Sequence, residues 1–200
     1  HCIPQILEGK DILGVAQTGT GKTAAYLLPI MSMLDDGGFP HDAINCIIMS
    51  PTRELAQQID QAMQGFGYYL DSVSSLPIYG GNDGNRYDQE IKSLRLGADI
   101  IIATPGRFIS HIQLGNVDLN KVSFFVLDEA DRMLDMGFSE DIMTIAKQLP
   151  TTCQTIMFSA TMPPKIEQLA KTLLKNPVEI KLAVSKPAEK IAQKAYLCYE

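Results

Sequence analysis

Ala16-Gln17-Thr18-Gly19-Thr20-Gly21-Lys22-Thr23 is the stretch on which the reading of this chain turns. It follows the short apolar run Ile12–Val15 and opens Lys22–Leu34, which carries apolar residues at helical spacing. A Gly-Lys-Thr ending between a strand and a helix is the signature of a phosphate-binding loop. The chemistry requires that order. Glycines let backbone N–H groups turn inward onto phosphate oxygens, and the helix N-terminus adds a field that favours negative charge. Residues 16–23 are therefore the expected nucleotide cradle: Lys22 reaches the β and γ phosphates, and the Thr23 hydroxyl holds Mg²⁺. Ala16 departs from the general pattern, which has glycine there. The competing reading, a glycine-rich turn that happens to precede a helix, does not account for the strand in front of it.

Working outward, short apolar runs alternate with longer amphipathic segments. Strands are expected at Ile12–Val15, Cys46–Met49, Leu76–Tyr79, Ile100–Ala103, Phe124–Leu127, Ile156–Phe158 and Val178–Ile180. Most are nearly continuous in Ile, Val and Phe, as in parallel strands covered on both faces. Helices are expected at Lys22–Leu34, Glu54–Phe66, Arg86–Leu96, Arg107–Leu114, Asp141–Leu149 and Lys165–Leu174, with Pro29 kinking the first. The alternation predicts an α/β domain with a largely parallel sheet, whose site lies at the carboxyl ends of the strands. Asp35–Asp42 and Gly80–Asn85 read as exposed turns. The domain is expected over residues 1–183, and 184–200, with Pro187 and several lysines, reads as a linker leaving it.

The second half of the site is Phe124-Phe125-Val126-Leu127-Asp128-Glu129-Ala130-Asp131. An apolar strand delivers Asp128 to the sheet edge, where a carboxylate can hold Mg²⁺ through water. Glu129 is placed to activate the attacking water as general base. Lys22, Asp128 and Glu129 are thus the catalytic candidates, and Thr23 and Asp128 the metal candidates. An isolated Asp-Glu pair is more often the acidic first turn of a helix; the upstream phosphate loop changes that balance.

Asp128-Glu129-Ala130-Asp131 spells the name of the DEAD-box RNA helicases, and the chain resembles that family over nearly its whole length. The family's loop reads Ala-x-Thr-Gly-x-Gly-Lys-Thr, which accounts for Ala16. Pro51-Thr52-Arg53-Glu54-Leu55-Ala56 resembles motif Ia, Gly80-Gly81 the glycine doublet, Thr104-Pro105-Gly106-Arg107 motif Ib, and Ser159-Ala160-Thr161 motif III. Any one of these is weak; their ordered conjunction is specific.

The resemblance implies a RecA-like fold with helices on both faces of the sheet, Mg-ATP as cofactor, and RNA held by its phosphates and 2′-OH groups without base reading. It implies RNA contacts at Pro51, Thr52, Arg53, Gly80, Gly81, Thr104, Pro105, Gly106 and Arg107. Strand-end N–H groups and guanidiniums suit phosphates, although a lone surface arginine more often pairs with a nearby carboxylate. It also implies that Asp131, Ser159 and Thr161 couple the ATP site to the RNA site; their other reading is a polar strand end with helix capping. The glutamine of the family's adenine-reading motif falls before His1, and Gln5 is not that residue. A second helicase domain, reached through Ile191–Glu200, is expected to supply the arginines that complete the ATP site. Within the chain the resemblance commits Arg53 and Arg107 to the RNA side, and no other arginine lies in an ATP motif.

Composition narrows the setting. The chain has 200 residues, 46% hydrophobic and 20% charged, within the range of soluble globular domains. No membrane-spanning run or signal peptide is read, and a monomeric, cytoplasmic protein is expected. Cys2, Cys46, Cys153 and Cys198 are far apart and show no metal-ligand spacing, and Cys46 and Cys153, set in apolar runs, read as buried free thiols. The net charge of −6 lacks the bulk positive footprint of nucleic-acid binding, so the grip on RNA must come from a few placed donors. An ATP-dependent RNA clamp or ribonucleoprotein remodeller would use the same parts, and a protein-remodelling P-loop ATPase would use only the phosphate chemistry.

Overall fold

The computed structural model describes residues 1–17, 19–70, 72–81 and 84–181. Thr18, Cys198 and the expected linker 184–200 lie outside the described residues. In chain order the elements are α1 (Cys2–Leu7), β1 (Ile12–Val15), α2 (Lys22–Asp35), β2 (Cys46–Met49), α3 (Arg53–Phe66), β3 (Ser75–Ile78), α4 (Gly84–Leu96), β4 (Ile100–Ala103), α5 (Pro105–Gln113), β5 (Phe124–Leu127), α6 (Ala130–Asp135), α7 (Ser139–Lys147), β6 (Gln154–Ser159), α8 (Pro164–Leu173) and β7 (Val178–Lys181). A 3₁₀ turn, Gly67–Tyr69, closes α3.

The strands form one seven-stranded sheet in the order β3-β4-β2-β5-β6-β1-β7, with every pairing parallel. Apolar residues on both faces explain why the strands read as continuous runs rather than alternations. Successive side chains point to opposite faces. Ile12, Cys46, Ile48, Ile100, Ile102, Val126, Ile156 and Phe158 enter one core with α1, α2 and α3. Leu13, Ile47, Met49, Ile101, Phe125, Leu127 and Met157 enter the other with α5, α6, α7 and α8.

α2 runs unbroken through Pro29, so the expected kink does not interrupt the element. β3, with Pro77 inside it, takes an edge of the sheet, where a missing N–H donor is tolerated. Gly14 is required by a close approach: a Cβ there would run into the ring of fully buried Phe158, its register partner on β6.

Three polar side chains fix the opposite, amino-terminal edge of the strands. Asp11 accepts from the N–H groups of Thr155 at 2.9 Å and Lys175 at 2.7 Å. Asp99 accepts from the Ser74 N–H at 3.0 Å and from Asn45 Nδ2 at 3.0 Å. Gln154 Nε2 donates to the Ile6 carbonyl at 3.1 Å, tying α1 to β6. With every strand parallel, all strand–helix turns that carry the motifs emerge at the other edge.

Candidate functional site

Sheet order sorts the motifs into two groups. β5, β6 and β1 are neighbours, and their ends carry Asp128–Asp131, Ser159–Thr161 and the 16–23 loop. β3, β4 and β2 are neighbours as well, and their ends carry Gly80–Gly81, Thr104–Arg107 and Pro51–Arg53. No single motif reveals this division; it follows from the crossover that puts β6 between β5 and β1.

In the first group, Gly21 caps α2 in the left-handed region at φ 76°, so the loop can turn straight into the helix. Lys22 is only 5% exposed, a low value for a lysine. Its Nζ lies 3.1 Å from Asp128 Oδ1 and 3.9 Å from Glu129 Oε1. Asp128 is fully buried, and its other oxygen accepts from the Tyr26 hydroxyl at 2.9 Å. Burial first, then the Asp128 charge, pushes the Tyr26 hydroxyl well above its ordinary range, so Tyr26 remains a donor. The sequence reading missed Tyr26, although it stands one helical turn after Lys22 and so shares its face.

The residues present fit a magnesium-nucleotide. Lys22 Nζ and Asp128 Oδ1 are buried, face each other, and make no hydrogen bond, so a cation and an anion both keep unused bonding capacity. Lys22, Gln17, Glu129, Asp131, Arg132 and Ala160 line a cleft of about 330 Å³. Glu129 stands at φ 52°, left-handed and unusual for a residue with a side chain, where it caps α6.

Arg132 lies outside the motifs yet lines this cleft, a place the sequence reading did not give it. It directly follows Asp131, and its Nη1 lies 3.4 Å from Glu129 Oε2. Asp131 points elsewhere: its Oδ2 accepts from the Thr161 hydroxyl at 2.8 Å and the Thr161 N–H at 3.1 Å. The Ser159 hydroxyl donates to the Thr161 carbonyl at 2.7 Å. The acidic strand end and the Ser-Ala-Thr turn are thus one hydrogen-bonded unit.

In the second group, Thr52 caps α3, its hydroxyl accepting from the Leu55 N–H at 3.3 Å. Arg53 opens that helix exposed, with its guanidinium 5.3 Å from the Tyr79 ring centroid and no ion pair among the described residues. Thr104 and Pro105 start α5 with proline in its first turn, a position that needs no N–H. Arg107 behaves differently from Arg53: its Nε donates to Glu90 Oε2 at 2.9 Å. That is the carboxylate pairing the sequence left open. Glu90 is 3% exposed and also meets His111 Nε2 at 2.8 Å, while His111 stacks on Tyr87. Glu90, Tyr79, Tyr87 and Arg86 were not singled out in the sequence, since an acidic residue on an amphipathic helix normally reads as a solvated face.

The model of the DEAD/DEAH box helicase family matches residues 1–169. The chain belongs to this family. It is 46% identical over 181 residues to the ATP-dependent RNA helicase DeaD of Buchnera aphidicola subsp. Schizaphis graminum, covering 90% of this chain and 29% of that protein. It is 45% identical over 185 residues to the DeaD helicase of Escherichia coli, covering 92% of this chain and 28% of that one. The crystal structure of a hypothetical ATP-dependent RNA helicase from Sulfolobus tokodaii superposes with a TM-score of 0.79 at 36% identity, over 90% of this chain and 50% of that one. The DEAD-box chain described here therefore spans less than a third of those curated relatives. No helix among its described residues is long and apolar enough to cross a membrane.

Proposed function

We propose that this chain is the ATP-binding core of an ATP-dependent RNA helicase, coupling Mg-ATP hydrolysis to a grip on the RNA backbone and local duplex separation with a second domain of the same protein. The observation that carries it is the joining of Lys22, Asp128 and Glu129 in one cleft with the Asp131–Thr161 unit beside it. Residues 16–23 cradle the phosphates, and Lys22 supplies the cation for the β and γ groups. Asp128 and Thr23 would hold Mg²⁺, whose contribution is to neutralise charge on the phosphate oxygens. Glu129 takes the proton of the attacking water.

On the RNA side, the strand ends at Pro51–Arg53, Gly80–Gly81 and Thr104–Arg107 supply N–H groups and guanidiniums to phosphates. Arg53 does so as an exposed cation with no ion pair among the described residues, and Arg107 from within its ion pair with Glu90. Such contacts position an RNA without reading its sequence. Asp131 stands in α6 just past β5, and Ser159 and Thr161 at and after the end of β6; β5 adjoins β2 of the RNA-side group, and from there these residues transmit the nucleotide state. A monomer in the cytoplasm is the setting proposed.

The test is Lys22→Ala in the intact protein. Loss of the buried cation should weaken nucleotide binding and lower RNA-stimulated hydrolysis by about 10²–10³, the scale of removing one charge-stabilising donor. A rate retained within the error of the wild type would overturn the assignment.

A further inference from the structure

Arg86 belongs to none of the motifs above, and ordinary stability does not account for its placement. It sits in the first turn of α4 (Gly84–Leu96), where the helix field disfavours a cation. Its ion pair with Glu90 is i to i+4 with the cation N-terminal, the weaker order, and its Nε stays 3.5 Å away without a hydrogen bond. The other oxygen of Glu90 already serves Arg107 and His111. One carboxylate thus faces two guanidiniums and an imidazole.

Arg86 is nevertheless held in place. Its guanidinium lies 3.8 Å from the centroid of the Tyr79 ring, the ring that Arg53 approaches at 5.3 Å. Tyr79 directly follows β3 and is fixed in turn by Gln57, whose Nε2 donates to its hydroxyl at 3.0 Å. Burial pushes that hydroxyl up, but the bonds from Gln57 and Arg86 and the two guanidinium charges outweigh it and bring it below its ordinary range. Gly80 and Gly81 follow directly, and a Cβ on Gly81 would lie 3.6 Å from Arg53 Nη1.

Two like charges on one aromatic ring, one of them with no ion pair among the described residues, make a positive spot on a chain of net charge −6. We infer that Arg86 and Arg53, stacked on Tyr79, form a paired guanidinium site for one backbone phosphate of the RNA strand, making Arg86 a binding residue outside the recognised motifs. The inference rests on the RNA-binding reading above. A phosphate here supplies the negative charge that Glu90 alone does not, and it also suits the first turn of α4. Arg86 is 30% exposed, so it can meet a ligand while its stem stays packed.

The experiment measures binding of a labelled single-stranded RNA of mixed sequence to the intact protein across a salt series. Each phosphate contact to a single strand contributes about 0.7 to the slope of log affinity against log salt. Arg86→Ala and Arg86→Gln should each weaken binding several-fold and make the slope shallower by about 0.7, whereas Arg86→Lys should preserve the slope. The Gln and Lys variants keep the packed stem of the side chain through Cδ and decide the matter if the alanine variant folds poorly. An unchanged slope in Arg86→Gln, with or without lost affinity, makes Arg86 a packing residue and overturns the inference while leaving the RNA reading intact. A wild-type protein that shows no RNA binding overturns both.

Discussion

Lys22 and Asp128 are a charged pair that the fold keeps almost wholly from water. Burying either alone is costly, and each compensates the other while the Tyr26 hydroxyl satisfies the remaining carboxylate oxygen. Glu129 differs in kind, because it stays partly exposed at 12% and its oxygens meet Lys22 and Arg132 only at 3.9 Å and 3.4 Å. The two acids should therefore fail differently. Glu129→Gln keeps the shape of the cleft and should retain ATP binding while hydrolysis falls by about 10²–10⁴, the range for loss of a general base. Asp128→Ala leaves Lys22 buried without its partner and should lose magnesium-dependent nucleotide binding. Titration of a fluorescent ATP analogue with and without Mg²⁺ checks both. Equal loss of affinity in the two variants would refute this division of labour. Arg107 carries a warning at the same scale. Its removal disturbs the buried Glu90, so an alanine there reports on folding as well as on RNA contact.

Elements place these side chains, and β1 is the most exacting of them. Gly14 lies against Phe158, fully buried and tilted against the Tyr26 ring at a centroid distance of 5.8 Å. Gly14→Ala should overpack this contact and destabilise the fold by about 1–3 kcal/mol, readable as a lower denaturant midpoint. A midpoint equal to wild type would mean that Phe158 can move aside freely. The turn after β6 invites a milder change. Thr161→Val removes one of the two donors to Asp131 on an exposed face, so folding should hold. Under the proposed coupling, the intact variant should keep RNA-stimulated hydrolysis within about tenfold yet separate far less duplex per ATP consumed. Proportional loss of both activities would count against a coupling role.

Much of this was legible in the sequence. Every expected strand exists, because a strand buried on both faces leaves a dense apolar run. The six expected helices exist with ends that shift by no more than two residues, as helix ends do. α1 and α6 were not read: each is six residues long, too short for a periodic stripe, and α6 starts directly from Glu129 without a break. The site divides the same way. Lys22, Asp128 and Glu129 are adjacent to motif glycines or a strand end, so spacing finds them. Glu90, Arg86 and Tyr79 meet only through the pairing of β3 with β4 and the packing of α4, which no local pattern encodes.

At the scale of the whole molecule, the two cores close both faces of the sheet within the described residues, so the domain has what it needs to fold as a unit. Its chemistry is less complete. Stabilising charge on a transferred phosphoryl group commonly uses an arginine finger, contributing roughly 10³–10⁵ in rate where one is present. Arg53 and Arg86 lie across the sheet on Tyr79, and Arg107 is held by Glu90. Arg132 is the arginine lining the cleft, and it is engaged with Glu129. The relatives extend well beyond the matched span, which leaves room in the intact protein for a second domain that brings further arginines and closes over ATP and RNA together. Residues 1–200 alone should therefore fold, bind ATP or ADP weakly, and show little RNA-stimulated hydrolysis and no duplex separation. Steady-state ATPase assays of this span and of the intact protein, each with and without RNA, make the comparison. A stimulated rate in the span equal to that of the intact protein would place the whole catalytic apparatus in this domain, with Arg132 the first residue to test as its finger.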